Sequence, residues 1–219
     1  MNKMRNRQAS FLLALAVLGC GTAGRPGSVD PVTGAPAAMS PAERARADGG
    51  RPPYTAADVR FISGMIPHHA QAVLISGWAP SHGASAAVRA LCERIVVGQR
   101  DEIGFMQRWL RERNEPVPEA DAAHHSLVPS MLMPGMLTAE QLGELDRARG
   151  PEFDRLFLVS MIQHHQGAIT MVEQLFASHG AAQDEDVFKF AADVNADQTT
   201  EIDRMTLMLA ELKSGDRRP

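Results

Sequence analysis

A residue pattern that occurs twice, 96 positions apart, constrains the fold of this chain more than any other feature. The stretch Asp-x-x-Phe-x-x-x-Met-Ile-x-His-His begins at Asp58 and begins again at Asp154 with identical spacing. A second pattern, Gln-x-x-Glu-Ile-x-x-Met, begins at Gln99 and again at Gln198. The chain is therefore expected to consist of two copies of one structural unit.

Each copy is predicted to be a hairpin of two helices. Apolar residues recur every three or four positions and strand signals are weak. Gly83 and Gly180 interrupt this periodicity at matching places. Thr55 is the expected N-cap of the first helix, and Thr138 with Gln141 forms a capping box for a short third helix that Gly150-Pro151 ends. The predicted helices are 55–79, 85–113, 138–149, 152–178 and 185–213.

Neither hairpin could bury its apolar face alone, whereas two hairpins packed together close into a four-helix bundle. The predicted fold class is all-α, an antiparallel four-helix bundle made of two duplicated hairpins, with a Met-rich connecting loop and a short extra helix. The domain is predicted to span 54–214. Its parts are hairpin one at 54–113, the loop and short helix at 114–150, and hairpin two at 151–214.

The first residues resemble an export signal. A basic start precedes a short apolar run at 11–18, too short to cross a bilayer, which takes about 20 residues as a helix. The run ends in Val-Leu-Gly-Cys, which resembles the cleavage motif of bacterial lipoproteins. We therefore predict a signal peptide at 1–19, lipidation of Cys20 and a flexible Pro/Gly/Ala-rich tether at 20–53. The expected location is periplasmic or at the outer membrane, lipid-anchored; a free periplasmic or secreted protein is the alternative.

The charge of the chain excludes one class of partner. The sequence has 22 Lys and Arg against 26 Asp and Glu, and three of the basic residues lie within 1–19, which has no acidic residue. The remainder has a formal charge of −7. Nucleic-acid binding relies on clustered basic side chains, so no nucleic-acid partner is expected.

Cysteine is scarce. Cys92 is the one cysteine after Cys20, so the chain has no disulfide framework. Its apolar, helix-like surroundings favour a small buried hydrophobe over a metal ligand.

The repeated motif concentrates imidazoles and thioethers, since four of the eight histidines lie in it. Helical geometry places the methionine and both histidines of each copy on one side of the helix. These residues are Met65, His68 and His69 in the first copy, and Met161, His164 and His165, extended two turns by Met171, in the second. Such a stripe can bind a common metal ion, or it can simply pack.

The hairpin geometry adds polar residues at the same depth. At 1.5 Å per residue, Gln99 and Glu102 are expected level with His69, and Gln198 and Glu201 level with His165. We expect these four residues to support the imidazoles of a metal site. They could also satisfy the histidines by hydrogen bonds without any metal.

The connection between the hairpins carries further candidate ligands, His124, His125, Met131, Met133 and Met136, within 13 residues. Exposed methionines would gain little packing energy in a loop, whereas their thioethers suit soft ions. The alternative is a methionine lid over the end of the bundle.

Ligand softness then points to copper. Thioether with imidazole selects copper, and Cu(I) especially. Structural zinc sites mostly use several thiolates, and the Glu-x-x-His motif of di-iron bundles is missing. No catalytic motif is recognisable, so the protein is not expected to be an enzyme.

These motifs, together with "MPGM" and "FDRLFLVSMIQHHQGAITM", resemble domain-of-unknown-function family 305 over residues 54–213. The resemblance implies a ferritin-like four-helix bundle, export by bacteria and, as in some members, copper binding and copper tolerance through His and Met side chains. Carried over by position, it implies the same His and Met ligands. One departure is Ile75, which stands where the second half has Met171.

The sequence therefore predicts an exported protein that sequesters or hands on Cu(I), with a copper-handling protein as a candidate partner. Two alternatives remain open at this point. One is a metal-free structural or interaction module of the cell envelope. The other is a metal-dependent oxidoreductase.

Overall fold

A computed structural model describes residues 53–119 and 133–215. Over these residues every regular element is a helix, which confirms the predicted all-α class. The five helices are α1 Ala56–Gly77, α2 Ala86–Glu112, α3 Ala139–Arg147, α4 Pro151–Ala177 and α5 Glu185–Gly215. Each bound lies within two residues of its prediction.

The helices pair as the repeat predicts. Helix α1 packs along α2 and α4 packs along α5, while the two hairpins meet through α1 and α4. Helices α2 and α5 pack mainly on their hairpin partners, and they also contact each other, for example through Phe105 and Phe190, whose ring centroids lie 5.0 Å apart. The two hairpins therefore approach each other most closely along α1 and α4.

Two capping boxes start helices where the sequence predicts them. Thr55 caps α1, and the Asp58 carboxylate accepts a hydrogen bond from the Thr55 backbone N–H at 2.6 Å. Thr138 and Gln141 make the same arrangement at α3. The role predicted for Gly150-Pro151 was wrong, although the end of the short helix lies within two residues of its prediction. Helix α3 stops at Arg147, and Gly150, with a φ of 56°, caps the start of α4 instead.

The repeated aspartates join the two hairpins. Asp58 Oδ1 accepts a hydrogen bond from Ala182 N at 2.7 Å, in the turn between α4 and α5. Asp154 accepts from Ser85 N at 3.2 Å, in the turn between α1 and α2. The start of each hairpin thus lies at the turn of the other, so α1 and α4 run antiparallel. Both aspartates lie near helix starts, and each also links one repeat to the other by a hydrogen bond.

The apolar core consists of two clusters. One contains Met65, Met106 and Met171 with aromatic residues such as Phe61 and Trp109. The other contains Met161 and Met205 with Phe153, Phe157 and Leu145. Neither cluster includes the segments 67–71, 96–102, 163–167 or 195–201, which together form a polar layer across the middle of the bundle.

Cys92 belongs to the second cluster and is buried, as predicted. Burial, with the Asp154 charge as the next cause, raises the pKa of its thiol to about 12. A thiol with so high a pKa stays protonated and is a poor metal ligand.

Several predictions fall outside the described residues. These are the signal peptide at 1–19, Cys20, almost all of the tether at 20–53, and His124, His125 and Met131. Within the described ranges, no helix combines the length and the apolar character needed to cross a bilayer.

Candidate metal centre

The four motif histidines meet in the polar layer. His68 and His69 come from α1, His164 and His165 come from α4, and all four are fully buried. Consecutive residues lie about 100° apart around a helix, so the two imidazoles of each pair point to different neighbours. His68 and His164 face each other across the α1–α4 interface, with ring centroids 3.9 Å apart. His69 points to α2 and His165 to α5.

In each ring of the central pair, His68 and His164, one nitrogen has a hydrogen-bond partner and the other has none. Nε2 of His68 lies 3.0 Å from Pro134 O, and Nε2 of His164 lies 3.0 Å from His68 O. A carbonyl can only accept, so Nε2 carries the proton in both rings. Nδ1 of each ring is buried without a hydrogen-bond partner.

Both rings of the central pair are held neutral. Burial, followed by the neighbouring His69 charge, lowers the pKa of His68 to about 3. Burial and then His68 lower the pKa of His164 well below its ordinary value. With Nε2 protonated and the ring neutral, Nδ1 presents a lone pair to the interior.

The outer pair contacts the two glutamates expected at its depth. His165 Nε2 donates to Glu201 Oε2 at 2.6 Å. His69 Nε2 lies 2.8 Å from Glu102 Oε2, although the atoms are not aligned for a hydrogen bond. The side chains of Glu102 and Glu201 are 22% and 25% exposed, so each carboxylate touches both solvent and a buried imidazole. Nδ1 of both outer histidines has no hydrogen-bond partner either.

The two glutamines behave differently from the prediction. Gln99 and Gln198 lie at the expected depth and are 3% exposed. Neither the nitrogen nor the oxygen of the Gln99 amide has a hydrogen-bond partner, and the Gln198 Oε1 atom has none either. These three atoms therefore do not hydrogen-bond to the imidazoles. Depth along a helix is fixed by its rise, whereas the direction of a long side chain is not.

Carboxylates are concentrated beside these glutamines. Burial, and then the negative charges of Glu102, Asp193 and Glu201, raises the pKa of Asp197. These acidic side chains of α2 and α5 are thus close enough to repel Asp197 electrostatically.

Buried methionines border the imidazole layer on both sides. Met65 and Met106 belong to the apolar cluster on one side, and Met161 and Met205 to the cluster on the other. All four are fully buried. The predicted stripe thus becomes a layer of imidazoles between two pairs of thioethers.

The segment Met133–Met136 forms a turn, here called the MPGM turn, that crosses α4 beside the histidines. Gly135 has a φ of 76°, a conformation that favours glycine. Gly167 on α4 lies against this turn, and a Cβ there would be 2.0 Å from Pro134 O. The two backbones touch because neither residue has a side chain.

Two glutamines that sequence reasoning missed hold the turn in place. Gln71 of α1 donates to Leu137 O at 3.1 Å and accepts from Leu137 N at 2.7 Å. Gln163 of α4 donates to Gly135 O at 3.3 Å. Gln163 and Gly167 flank the second His-His pair, and this position beside the motif was the sequence signal that could have pointed to them. Their partners lie 28 or more positions away and could not be identified.

The turn brings Met133 and Met171 together. A Cβ on Gly64 would lie 3.2 Å from Met133 Sδ and 3.4 Å from Met171 Cε. Both methionines line a cleft of about 350 Å³ that opens to solvent between α1 and α4. Two expectations are corrected here. Met136 is buried at 4% exposure, and the turn covers the middle of α1 and α4 rather than the end of the bundle.

The donors do not form a finished chelate. Within residues 53–119 and 133–215, no three His, Cys, Asp or Glu side chains converge to hold an ion. Thioethers are outside that set of donors. Any ion bound in this part of the chain therefore needs methionine or water, or a small shift of the imidazoles.

Solved structures share this architecture. A DUF305 fragment from Deinococcus radiodurans matches with a TM-score of 0.62 and 28% identity, covering 73% of this chain and 99% of that one. A DUF305 protein from Streptomyces coelicolor, inferred to be secreted, matches with a TM-score of 0.61 and 27% identity, covering 72% and 94%. The all-helical bundle is thus shared with solved members of one family.

The protein CopM has been solved in a Cu(II)-bound form that matches with a TM-score of 0.57 and 28% identity, covering 70% of this chain and 96% of CopM. Cu(I)-bound and Ag-bound forms of CopM match as well. A curated relative from Acanthamoeba polyphaga mimivirus is 34% identical over 56 residues, which is 26% of this chain and 37% of that protein.

The sequence itself gives the same assignment. The family model described as Domain of unknown function (DUF305) matches residues 58–209, more than half of the chain. This range includes both copies of the His-His motif. The chain therefore belongs to the DUF305 family.

Proposed function

We propose that this protein binds copper, preferentially Cu(I), outside the cytoplasm and either sequesters it or passes it on. One observation carries the proposal. Four buried imidazoles share a layer, and each has an Nδ1 atom without a hydrogen-bond partner. Buried polar atoms are normally satisfied, so four such atoms in one layer call for a ligand.

The orientation of the rings supports a metal ion as that ligand. Metal-ligating histidines usually donate their other ring nitrogen to a carboxylate or a carbonyl, which fixes the tautomer and the ring position. His68, His164 and His165 have such an oxygen acceptor at Nε2. Nδ1 is then the nitrogen that would bind metal.

The thioethers favour copper, and Cu(I) in particular. Met65 and Met161 border the imidazole layer, while Met133 and Met171 line the solvent-facing cleft beside it. His124, His125 and Met131 would add donors from the same connection. Cu(I) is cargo in this proposal, and we propose no catalytic turnover.

The family relationship supports the broader part of the proposal. CopM has been solved with Cu(I), Cu(II) and Ag bound, and the Streptomyces relative is inferred to be secreted. Export through the signal at 1–19, a lipid anchor at Cys20 and transfer to a copper-handling partner belong to the proposal on sequence grounds.

A metal-free module is the second candidate. It is favoured by the contacts of His69 with Glu102 and of His165 with Glu201, and by the lack of a finished chelate among the described residues. A metal-free module would leave the Nδ1 atoms of the four motif histidines without a hydrogen-bond partner or a metal ion.

An anaerobic Cu(I) titration against a competing chromophoric chelator tests the proposal. Wild-type protein is compared with the double variant His68→Gln/His164→Gln. The control is His179→Gln, because His179 is exposed and lies outside the layer. Thermal melts run in parallel, since a ligand that binds only the folded state raises Tm.

We expect wild type and control to take up Cu(I) with a raised Tm, and the double variant to bind at least one ion fewer. If wild-type protein neither competes for Cu(I) nor gains thermal stability, the copper proposal is wrong and the metal-free module replaces it. Equal stoichiometry in all three proteins would remove the central pair from the site.

A further inference from the structure

The outer surface of hairpin two exposes large apolar side chains. Val159 of α4 is 44% exposed, Phe176 near the end of α4 is 45% exposed, and Phe188 of α5 is 55% exposed. The rings of Phe176 and Phe188 contact each other edge to face, with centroids 5.8 Å apart. Single exposed apolar residues are ordinary, whereas a group of them on one surface indicates a contact with another molecule.

Helical spacing connects these residues into two stripes. Steps of three and four residues give one stripe on α4, which consists of Val159, Ile162, Gln166, Ile169, Glu173 and Phe176. The same steps give a stripe on α5, which consists of Phe188, Ala192, Asn195, Thr199, Ile202 and Thr206. The stripes touch at Phe176 and Phe188, and α4 packs along α5, so they lie side by side. We call this surface the hairpin-two face.

The hairpin-two face is almost free of charge. Glu173 is the one charged residue in the two stripes. The Thr199 hydroxyl donates to Asn195 O of its own helix at 2.7 Å, and at the border of the α4 stripe Thr170 donates to Gln166 O at 3.0 Å. With these hydroxyls satisfied inside their helices, both threonines can offer methyl groups to a neighbour.

The first repeat shows what the same surface looks like when it faces solvent. The Gln-x-x-Glu pattern relates α2 to α5 by an offset of 99 positions. At the positions of Phe188, Ala192 and Thr199, hairpin one has Arg89, Glu93 and Arg100. These three charged residues are exposed. The two copies thus share their buried motif but differ on the outside, and only hairpin two lacks charges there.

We propose that two copies of this chain associate through their hairpin-two faces as a homodimer related by a twofold axis. This is the commonest symmetry of soluble oligomers, and it brings one surface of a chain against itself. The sequence carries 26 acidic against 22 basic residues, so two copies repel each other unless they meet on an uncharged surface. The proposal concerns the outside of the bundle and does not depend on metal binding.

The polar residues of the face favour a second copy over other occupants. The amides of Gln166 and Asn195 can hydrogen-bond across a protein interface, whereas the hydrocarbon of a bilayer offers them no partner. A basic partner would be recognised by carboxylates, and Glu173 is the one carboxylate in the two stripes. A second copy matches both the apolar and the uncharged polar residues.

The size of the face predicts a weak dimer. At 1.5 Å per residue each stripe is about 26 Å long, and two adjacent helices are about 20 Å wide. The contact would cover on the order of 500 Å² per chain, or about 1000 Å² in total, which is near the lower limit for a specific interface. Association should therefore be reversible and concentration-dependent.

Sedimentation velocity of metal-free protein over a range of concentrations tests the proposal. Wild type is compared with Phe188→Arg/Thr199→Arg, which introduces the residues that hairpin one has at these positions. The control is Ala90→Arg/Val97→Arg, which adds the same charge at two exposed positions of α2. Arginine is a good helix former and all four positions are exposed, so circular dichroism and Tm should show folded protein in each case.

We expect wild type and control to change from one chain to two as concentration rises, and the Phe188→Arg/Thr199→Arg protein to associate at least 10-fold more weakly. Wild type that remains a single chain up to nearly millimolar concentration would overturn the proposal. Equal association of both variants would also overturn it, because another part of the chain would then make the contact. If monomeric wild type floats with neutral phosphatidylcholine vesicles and the Phe188→Arg/Thr199→Arg variant does not, the face contacts lipid instead of a second copy.

Discussion

His68 of α1 and His164 of α4 face each other with ring centroids 3.9 Å apart, and His164 Nε2 lies 3.0 Å from the backbone oxygen of His68. The backbone of one repeat therefore orients the imidazole of the other. Together the two rings place two neutral, unpartnered Nδ1 atoms at the α1–α4 interface. The centre of the candidate site exists only when both hairpins are docked.

The neutral state of this pair makes stability depend on pH. The pKa of His68 in the folded protein is about 3, and that of His164 is also well below 6.5. Between these values and about 6.5, the unfolded chain binds protons that the folded chain does not. The free energy of unfolding is therefore highest above about pH 6.5, where both histidines are neutral in the unfolded chain too, and it decreases as the pH falls toward 3.

Urea unfolding of metal-free protein at pH 7.5, 6.5, 5.5 and 5.0 measures this effect. Each neutral histidine is expected to lower the free energy of unfolding by on the order of 1 kcal/mol per pH unit below about 6.5. A free energy that stays constant from pH 7.5 to 5.0 would contradict the neutral pair.

Replacing Gly167 by alanine should displace the MPGM turn. The added Cβ would lie 2.0 Å from Pro134 O and 2.5 Å from Gly135 Cα, both of them backbone atoms. We expect a loss of about 2 kcal/mol or more in the free energy of unfolding, as for other overpacked sites. Cu(I) affinity should fall too, because Pro134 O no longer fixes His68.

Gly98→Ala is the control for this substitution. No atom lies within 4 Å of a Cβ at position 98 on α2, so alanine there should stabilise the helix by about 1 kcal/mol. Chemical denaturation of the two variants separates steric conflict from helix propensity. Equal stability of Gly167→Ala and wild type would mean that the turn does not rest on α4.

Two buried glutamines should respond oppositely to the same substitution. Gln71→Leu removes both hydrogen bonds that pair the Leu137 backbone, leaving two buried groups unsatisfied at a cost of about 2–4 kcal/mol. Gln99→Leu removes an amide that has no partner, so metal-free protein should gain about 1 kcal/mol.

Thermal and urea melts of both variants, without metal, check these signs. Each glutamine is nearly fully buried, so exposure is matched. Destabilisation by both substitutions would show that the Gln99 amide has a structural partner after all.

The thioethers beside the MPGM turn should affect copper affinity more than stability. Met133→Leu/Met171→Leu preserves side-chain volume, so the cost in stability should stay below about 1.5 kcal/mol. Leucine has no soft donor, and Cu(I) affinity should fall at least 10-fold if both sulfurs bind the ion.

Met208→Leu is the matched control, since Met208 packs at the periphery of the other apolar cluster. Competition titration with a Cu(I) chelator compares the three proteins. If the double variant holds Cu(I) as tightly as Met208→Leu does, Met133 and Met171 are packing residues.

The sequence by itself determined the helices, their pairing and the depth of the polar residues. Apolar periodicity, Gly83, Gly180 and two capping boxes are local signals, and the predicted bounds lie within two residues of the structure. The rise of a helix is constant, so Glu102 and Glu201 could be placed level with His69 and His165.

Tertiary structure alone decided which of these residues meet. The path of the MPGM turn depends on Gly135 touching Gly167 and on Gln71 pairing with Leu137, contacts between segments far apart in sequence. The same holds for Gln99, which reached the predicted depth but whose amide makes no hydrogen bond to the histidines. Local patterns fix a residue's position along its helix, but the packing of the two hairpins fixes what its side chain can touch.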